Sequence, residues 1–154
     1  MTKIAVFSDS HGDVSKLVKA IKENEDVSAI VHLGDCARDA YEAEKITGKS
    51  IIKLNGNCDI LSNEPVFHIF QIEGVRIYLT HGHREHVKMG LLRLGYKAEE
   101  ENARLALYGH THIPKADEFA SSLLVNPGAL KDGKYLIITL NDGAILPEFK
   151  SVEG

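Results

Sequence analysis

Short apolar runs that alternate with helical patterns constrain the fold of this chain more than any other feature of its sequence. Seven runs have the length of a strand and are bounded by Gly, Asp, Asn or Pro: residues 4–7, 29–31, 50–54, 75–79, 105–108, 123–125 and 135–140. Residues 14–23 and 37–46 lie between the first three runs and have the apolar spacing of helices, with Asp13 as a candidate N-cap. This alternation predicts a parallel βαβαβ sheet in the N-terminal half.

Two predicted β-hairpins distinguish the C-terminal part from the parallel βαβαβ pattern of the N-terminal half. Residues 66–72 and 75–79 flank Glu73-Gly74, and residues 135–140 and 144–149 flank the NDG sequence at 141–143. We therefore expect a second, partly antiparallel sheet that packs on the first, with helices at 87–94 and 98–104 covering an outer face. At 154 residues, the chain is expected to form a single domain spanning residues 1–154.

The charge and the cysteine content argue against several classes of protein. The chain has 18 basic and 22 acidic residues and a formal net charge of −4, so a nucleic-acid polymer is not expected as a partner. The N-terminal apolar stretch is too short for a signal peptide and no run approaches a membrane span, so we expect no membrane association and a cytoplasmic location. Cys36 and Cys58 form neither a disulfide framework nor a CxxC pair, and a redox link between them is a minor alternative.

Metal-capable side chains follow five of the predicted strands. The segments are 8–11 (SDSH), 32–35 (HLGD), 55–59 (NGNCD), 80–83 (THGH) and 109–112 (GHTH). Because ligands of open α/β sheets bind at the carboxyl ends of the strands, we expect these loops to converge. Each motif alone also fits a capping loop or a turn, but five in succession favour a metal site.

The order of these motifs resembles that of a known superfamily. The series DSH, GD, GNCD, THGH and GHTH is similar to the D-x-H, G-D, G-N-H-D/E, H and G-H-x-H series of the calcineurin-like metallophosphoesterases. The short length and the GNCD form look like those of the small prokaryotic phosphodiesterases of this superfamily, and a subunit of the retromer coat is a eukaryotic relative of the same fold. The resemblance implies an α/β fold, a four-layer α-β-β-α sandwich of two packed mixed sheets flanked by helices.

The resemblance also implies two divalent transition metal ions. The seven expected ligands are carboxylate, amide and imidazole side chains: Asp9, His11, Asp35, Asn57, His81, His110 and His112. One cation would take Asp9, His11, Asp35 and His112, and the other Asp35, Asn57, His81 and His110, so the Asp35 carboxylate would bridge them. The mixed nitrogen and oxygen donors make Mn²⁺ the first expectation, with Ni²⁺, Fe²⁺ or Zn²⁺ as alternatives.

The expected activity is hydrolysis of small phosphodiesters, with monoesters as a second class, through a metal-bridging hydroxide. Asp35 and Asn57 would act in catalysis through the cations. Cys58 stands where many superfamily members have a proton-donating histidine, and a thiol is a weak donor. His83, if it faces the substrate rather than its own loop, or a metal-bound water would protonate the leaving group instead. Residues 125–133 (VNPGALKDG) depart from the NPGS and PR pattern of these relatives, so the phosphate contacts of that segment are not carried over.

Several alternatives stay open at this stage. A non-enzymatic protein-interaction module on the same fold would have no need of all seven ligands. A nuclease is disfavoured by the acidity of the chain and the lack of a basic, aromatic-rich strip. Arg84 either pairs with a phosphate oxygen or is solvated, and His32 is expected to pack behind the site. The sequence is compatible with a homo-oligomer and does not define the oligomeric state.

Overall fold

The computed structural model of the chain describes residues 1–59 and 63–153. In chain order these residues form β1 (Thr2–Phe7), α1 (Val14–Glu23), β2 (Ala29–His32), α2 (Ala37–Thr47), β3 (Ile52–Lys53), β4 (Phe67–Ile72), β5 (Val75–Thr80), a 3-10 turn (Val87–Met89), α3 (Leu92–Glu100), β6 (Leu105–Leu107), β7 (Lys115–Phe119), β8 (Ser122–Asn126), a second 3-10 turn (Leu130–Asp132), β9 (Lys134–Asn141) and β10 (Ala144–Ser151). Among the described residues, no helix has the length and apolar character needed to cross a membrane.

The first sheet has the strand order β10-β9-β1-β2-β3. β1 pairs in parallel with β2, and β2 with β3, as the alternation of strands and helices predicts. β1 is buried on both faces, because Ile4 and Val6 pack toward the second sheet while Ala5 and Phe7 pack toward the helices. The predicted N-cap of α1 is confirmed, since the Asp13 side chain accepts a hydrogen bond from a backbone amide of the first turn.

The second sheet has the strand order β4-β5-β6-β8-β7. β5, β6 and β8 are parallel, whereas the edge strands β4 and β7 are antiparallel to their neighbours. The first predicted hairpin is confirmed, and both Glu73 and Gly74 have positive φ, as a tight two-residue turn requires. The second hairpin exists, but it extends the first sheet rather than the second, because β9 pairs with β1.

Three apolar clusters define the layers of the molecule. The largest lies between the two sheets and includes Ile4 and Ile77. A second cluster, which includes Leu17, packs α1 and α2 on the outer face of the first sheet. A third, which includes Leu94 and Tyr108, packs α3 on the outer face of the second sheet. The expected four-layer α-β-β-α sandwich is confirmed.

The predictions for residues 87–119 are wrong in two respects. The expected helices at 87–94 and 98–104 are replaced by a 3-10 turn and by α3, because Gly90 (φ 137°) and Asn102 (φ 56°) adopt conformations that interrupt a helix. β7 was not predicted, since its sequence KADEF is largely polar. β7 pairs only with β8 and is an edge strand, where polar residues are common.

Candidate metal centre

Two clusters of metal-capable side chains lie where the two sheets meet. In each cluster one potential donor atom per residue lies within 4.8 Å of the others: Asp9, His11 and His112 form the first, and Asp35, His81 and His110 form the second. Asp9 and His11 follow β1 and Asp35 follows β2, whereas His81 follows β5, and His110 and His112 follow β6. The predicted convergence of the strand-end loops is therefore observed, and each cluster combines residues from both sheets.

The carboxylates of Asp9 and Asp35 lie at the boundary between the clusters. His81 Nε2 is 3.4 Å from Asp35 Oδ2 and 3.8 Å from Asp9 Oδ1. His11 Nε2 is 3.8 Å from Asp35 Oδ2 and 3.7 Å from Asp9 Oδ1, and His112 Nε2 lies 3.1 Å from Asp9 Oδ1. The two carboxylates are thus shared neighbours of histidines from both clusters.

Each carboxylate has one oxygen held by the protein and the other directed at histidines. Asp9 Oδ2 accepts hydrogen bonds from Ser8 Oγ (2.6 Å) and from the His110 amide (3.1 Å). Asp35 Oδ1 accepts a hydrogen bond from the Cys58 amide (3.0 Å). These bonds fix the orientation of both carboxylates before any ligand arrives, as a preorganised metal site requires.

Two glycines allow the loops to approach this closely. A Cβ on Gly56 would lie 2.2 Å from Asp35 Oδ1, and a Cβ on Gly109 would lie 2.1 Å from Ser8 Oγ and 2.9 Å from Asp9 Oδ2. Any side chain at either position would therefore displace a carboxylate of the centre. The lack of a side chain at Gly56 and Gly109 allows the GNCD and GHTH loops to contact the residues that hold the two carboxylates.

The backbone at the centre is strained at several positions. Five of the seven expected ligands have a left-handed conformation, which non-glycine residues rarely adopt: Asp9 (φ 55°), His11 (45°), Asp35 (61°), His110 (73°) and His112 (67°). Such conformations persist only where the surrounding structure holds them, and they concentrate at functional sites.

Asp59 is an anchor of the centre whose role the sequence did not reveal. Its carboxylate accepts four backbone hydrogen bonds, from the amides of Asp35 (2.8 Å), Cys36 (2.8 Å), Ala37 (3.0 Å) and Gly56 (2.8 Å). α2 has no side-chain cap of its own at Cys36, so the carboxylate of a distant loop supplies it. The sequence has no Ser, Thr, Asp or Asn at that helix start, which indicates only that the cap comes from another segment.

A second buried network lies behind the centre and includes His32. His32 Nδ1 accepts a hydrogen bond from the Gly34 amide (3.2 Å), so its other nitrogen carries the proton and donates to Ser10 Oγ (2.8 Å). Ser10 Oγ in turn donates to Asp39 Oδ2 (2.6 Å). Burial lowers the pKa of His32 to about 4, so the imidazole is neutral near pH 7. His32 therefore packs behind the centre, as the sequence predicts.

The electrostatics of the centre favour a bound cation. Burial alone would raise the pKa of Asp35, but the nearby His81 imidazole and the Cys58 amide hold it well below its usual range. Burial alone would lower the pKa of His81, but the carboxylates of Asp35 and Asp9 raise it. Both ring nitrogens of His81 are buried and make no hydrogen bond within the described part of the chain. A buried imidazole without partners beside two carboxylates fits a metal ligand, so the residues present suit a divalent transition metal.

His83 and His110 lie next to His81. Burial, then the His81 imidazole and the Lys88 ammonium, lower the pKa of His110 to about 4, and burial followed by His81 lowers the pKa of His83. The His83 ring centroid is 5.5 Å from that of His81 and 6.2 Å from that of His110. Its Nδ1 is buried and makes no hydrogen bond with residues 1–59 or 63–153. His83 therefore lies beside the second cluster.

The two remaining predicted site residues belong to the loop whose Cys58 amide donates to Asp35 Oδ1. Asn57 and Cys58 are both exposed and follow Gly56. Burial and then the Asp35 charge raise the pKa of the Cys58 thiol, which does not favour a thiolate nucleophile. Arg84 is exposed in a neighbouring groove of about 280 Å³ that also contains Arg93.

The NPG segment stabilises the GHTH loop instead of reaching a ligand. Asn126 Nδ2 donates to the Gly109 carbonyl (3.1 Å) and to Thr111 Oγ1 (2.9 Å), and Asn126 Oδ1 accepts from the Gly128 amide (2.8 Å). All polar groups of the Asn126 side chain are therefore engaged, and this segment shapes the turn beside the centre.

Comparison with known proteins finds relatives along nearly the whole chain. A model of the calcineurin-like phosphoesterase superfamily domain matches residues 2–143. The probable metallophosphoesterase YsnB of Bacillus subtilis is 28% identical over 98% of this chain and 92% of its own length, and the phosphodiesterase YfcE of Escherichia coli is 26% identical over 96% and 97%. The crystal structure of a predicted phosphoesterase from Streptococcus pneumoniae has a TM-score of 0.85 and 28% identity, and covers 97% of this chain and 89% of that one. Both clusters lie within the matched range.

Proposed function

The chain belongs to the calcineurin-like phosphoesterase superfamily, and from this premise we propose that it is a dinuclear metal-dependent phosphodiesterase acting on small substrates. The observation that carries the proposal is the pair of adjoining clusters that share the Asp9 and Asp35 carboxylates. Both carboxylates lie within 4 Å of histidines from each cluster, and an anionic carboxylate in that position can bridge two neighbouring divalent cations.

The proposed ligands of the first cation are Asp9, His11, Asp35 and His112. Those of the second are Asp35, Asn57, His81 and His110. Asp35 is assigned as the bridge from the motif series of the superfamily, and its Oδ2 lies within 4 Å of a histidine from each cluster, as does Asp9 Oδ1. Mn²⁺ is the proposed cation, with Ni²⁺, Fe²⁺ and Zn²⁺ as alternatives, since the donors combine imidazole nitrogen with carboxylate and amide oxygen.

Divalent cations at these positions would activate water as the nucleophile and offset the negative charge that grows on the phosphate oxygens. The residues of the chain orient the reaction. The Cys58 amide and the Ser8 hydroxyl hold the two carboxylates. His83 has a lowered pKa because of burial and the neighbouring His81, and its buried Nδ1 makes no hydrogen bond among the described residues, so it is assigned to the leaving-group oxygen. Cys58 would contribute little to protonation of the leaving group, because a thiol is a weak hydrogen-bond donor.

Small diesters are the proposed substrate class for two reasons. A relative along almost the whole chain carries the name phosphodiesterase. In addition, the net charge of −4 does not favour a nucleic-acid polymer.

The decisive experiment compares Asp35→Asn with a matched control, Asp26→Asn. Asp26 is an exposed carboxylate whose side chain pairs only with Lys3 in the described residues, remote from the centre. We expect the wild type and the control to retain two equivalents of metal per chain and to hydrolyse bis(4-nitrophenyl) phosphate with Mn²⁺. The Asp35→Asn variant should retain less metal, and its activity should fall at least about 100-fold. A wild type that retains no transition metal, or an Asp35→Asn variant of undiminished activity, would refute the proposal and leave the interaction module as the better hypothesis.

A further inference from the structure

A cleft of about 840 Å³ opens on the outer side of the second sheet, between residues 87–91 and β7. Its volume is that of a pocket for an organic molecule and far exceeds the needs of a phosphate group alone. The floor includes the buried side chains of Tyr108 and Leu124. The rim carries Met89 and Ile113, which are 88% and 61% exposed. An apolar floor with exposed apolar side chains at its rim is suited to a flat hydrophobic group.

The cleft adjoins the candidate metal centre at two loops. Thr111, which lines it, stands between His110 and His112 in the GHTH loop. Val87, which also lines it, packs on the THGH loop so closely that a Cβ on Gly82 would lie 2.8 Å from its Cγ2. The cleft therefore lies beside the two loops that carry His81, His110 and His112.

The two ends of the cleft differ in charge. Lys88 lines the end near the centre, next to Val87, which packs on the THGH loop. Asp117 and Glu118 line the part of the cleft formed by β7, together with Lys115. Asp117 Oδ2 is buried and makes no hydrogen bond within the described part of the chain, although Lys115 Nζ is 3.5 Å away. The cation of Lys88 near the centre and a carboxylate oxygen that Lys115 approaches without a hydrogen bond complement a substrate that is anionic at one end and a hydrogen-bond donor at the other.

We propose that this cleft binds the organic group of the phosphoester substrate, and that this group is a flat apolar ring carrying a hydrogen-bond donor such as an amine or a hydroxyl. The ring would lie on Tyr108 and Leu124 under the rim formed by Met89 and Ile113, and the donor would reach Asp117 Oδ2. This inference rests on the proposed function, because the phosphate of the substrate must first be held at the metal centre.

Three phosphonates that cannot be hydrolysed as esters test the cleft by equilibrium binding. Calorimetry on the Mn²⁺-loaded protein would compare methylphosphonate, phenylphosphonate and 4-aminophenylphosphonate. We expect phenylphosphonate to bind about 10-fold more tightly than methylphosphonate, because the ring leaves water. The amino group should add about fivefold, because it engages a carboxylate.

Variants of the rim and of Asp117 separate the two contacts. Met89→Ser combined with Ile113→Ser should lower the preference for phenyl over methyl about threefold to fivefold and leave methylphosphonate binding unchanged. Asp117→Ala should remove only the advantage of the amino group. The control is Leu146→Ser, which changes a 52% exposed apolar side chain on β10 and should alter no affinity.

Equal affinities of the wild type for phenyl and methyl phosphonates would overturn the inference. So would a phenyl preference that the rim variant leaves intact, since the ring would then bind elsewhere. Mn²⁺-dependent hydrolysis of bis(4-nitrophenyl) phosphate in the same preparation shows which hypothesis has failed. If hydrolysis persists, only the cleft assignment is wrong. If hydrolysis and the binding of all three phosphonates are both absent, the proposed function itself is wrong.

Discussion

Replacement of Asp59 by asparagine should weaken both the fold and metal binding. Asp59 Oδ2 accepts from the amides of Asp35 and Gly56, each at 2.8 Å, and Oδ1 accepts from those of Cys36 (2.8 Å) and Ala37 (3.0 Å). An asparagine keeps one acceptor oxygen, so two of the four backbone N–H groups would face an amide nitrogen instead. A hydrogen bond to a charged acceptor contributes about 1.5 kcal/mol or more, so the free energy of unfolding should fall by about 3 kcal/mol.

Urea denaturation in the presence of a chelator measures this loss without a contribution from bound metal. The matched control is Asp13→Asn at the start of α1. There one oxygen, Oδ1, accepts from both Lys16 N (3.1 Å) and Ser15 Oγ (3.0 Å), and asparagine retains it. The variant loses only the partly exposed ion pair of Oδ2 with Lys16 Nζ (3.2 Å). The control should cost less than about 1 kcal/mol, because asparagine and aspartate are comparable N-caps.

The same Asp59→Asn variant should bind Mn²⁺ about 10-fold more weakly, because Asp59 positions the backbone of Asp35. A variant that unfolds within about 0.5 kcal/mol of the wild type would refute the reasoning, since two lost charge-assisted bonds cannot cost so little. Reduced stability with unchanged metal affinity would show that the carboxylate caps α2 but does not position the centre.

Three further predictions concern single residues. Because burial lowers the pKa of His32 from 6.5 to about 4, only the unfolded chain binds this proton between those values. The chelated protein should therefore lose up to about 3 kcal/mol of stability as the pH falls through that window. His32→Asn should remove this loss in urea titrations at pH 7 and pH 5, and parallel pH profiles would contradict the assignment. Gly109→Ala should lower thermal stability and metal stoichiometry, because its Cβ would lie 2.1 Å from Ser8 Oγ; a stable variant with full metal content would contradict the steric argument. Cys58→His should accelerate cleavage of alkyl diesters more than of aryl diesters, and equal rate changes would mean that residue 58 is not at the proton donor's position.

The parts of the fold that the sequence predicts are those with a local signal. β1 and β2 are continuous apolar runs, the hairpin at Glu73-Gly74 has turn residues, and α1 has an aspartate at its start. The convergence of Asp9 with His112 was also predicted, because both follow the carboxyl ends of strands, where ligands of α/β sheets bind. β1 and β6 belong to different sheets, and the packing of the sheets brings these two ends together.

The features that were missed depend on contacts between distant segments. β7 is polar and becomes a strand only because β8 offers it an edge. The anchoring role of Asp59 depends on where its loop meets the start of α2, which no local pattern encodes. The placement of the second hairpin in the first sheet likewise follows from the pairing of β9 with β1, which its own turn residues do not specify.

The sharing of each cluster between the two sheets has a consequence for the order of folding. Asp9 and His112 are 103 residues apart in the chain. A cation held by both would cross-link the chain as a long-range disulfide does, and would stabilise the native state by binding to it selectively. Neither cluster exists until the sheets have packed face to face. Metal binding should therefore follow burial of the intersheet core during refolding. The kinetics of ion uptake would then report when the two sheets pack together.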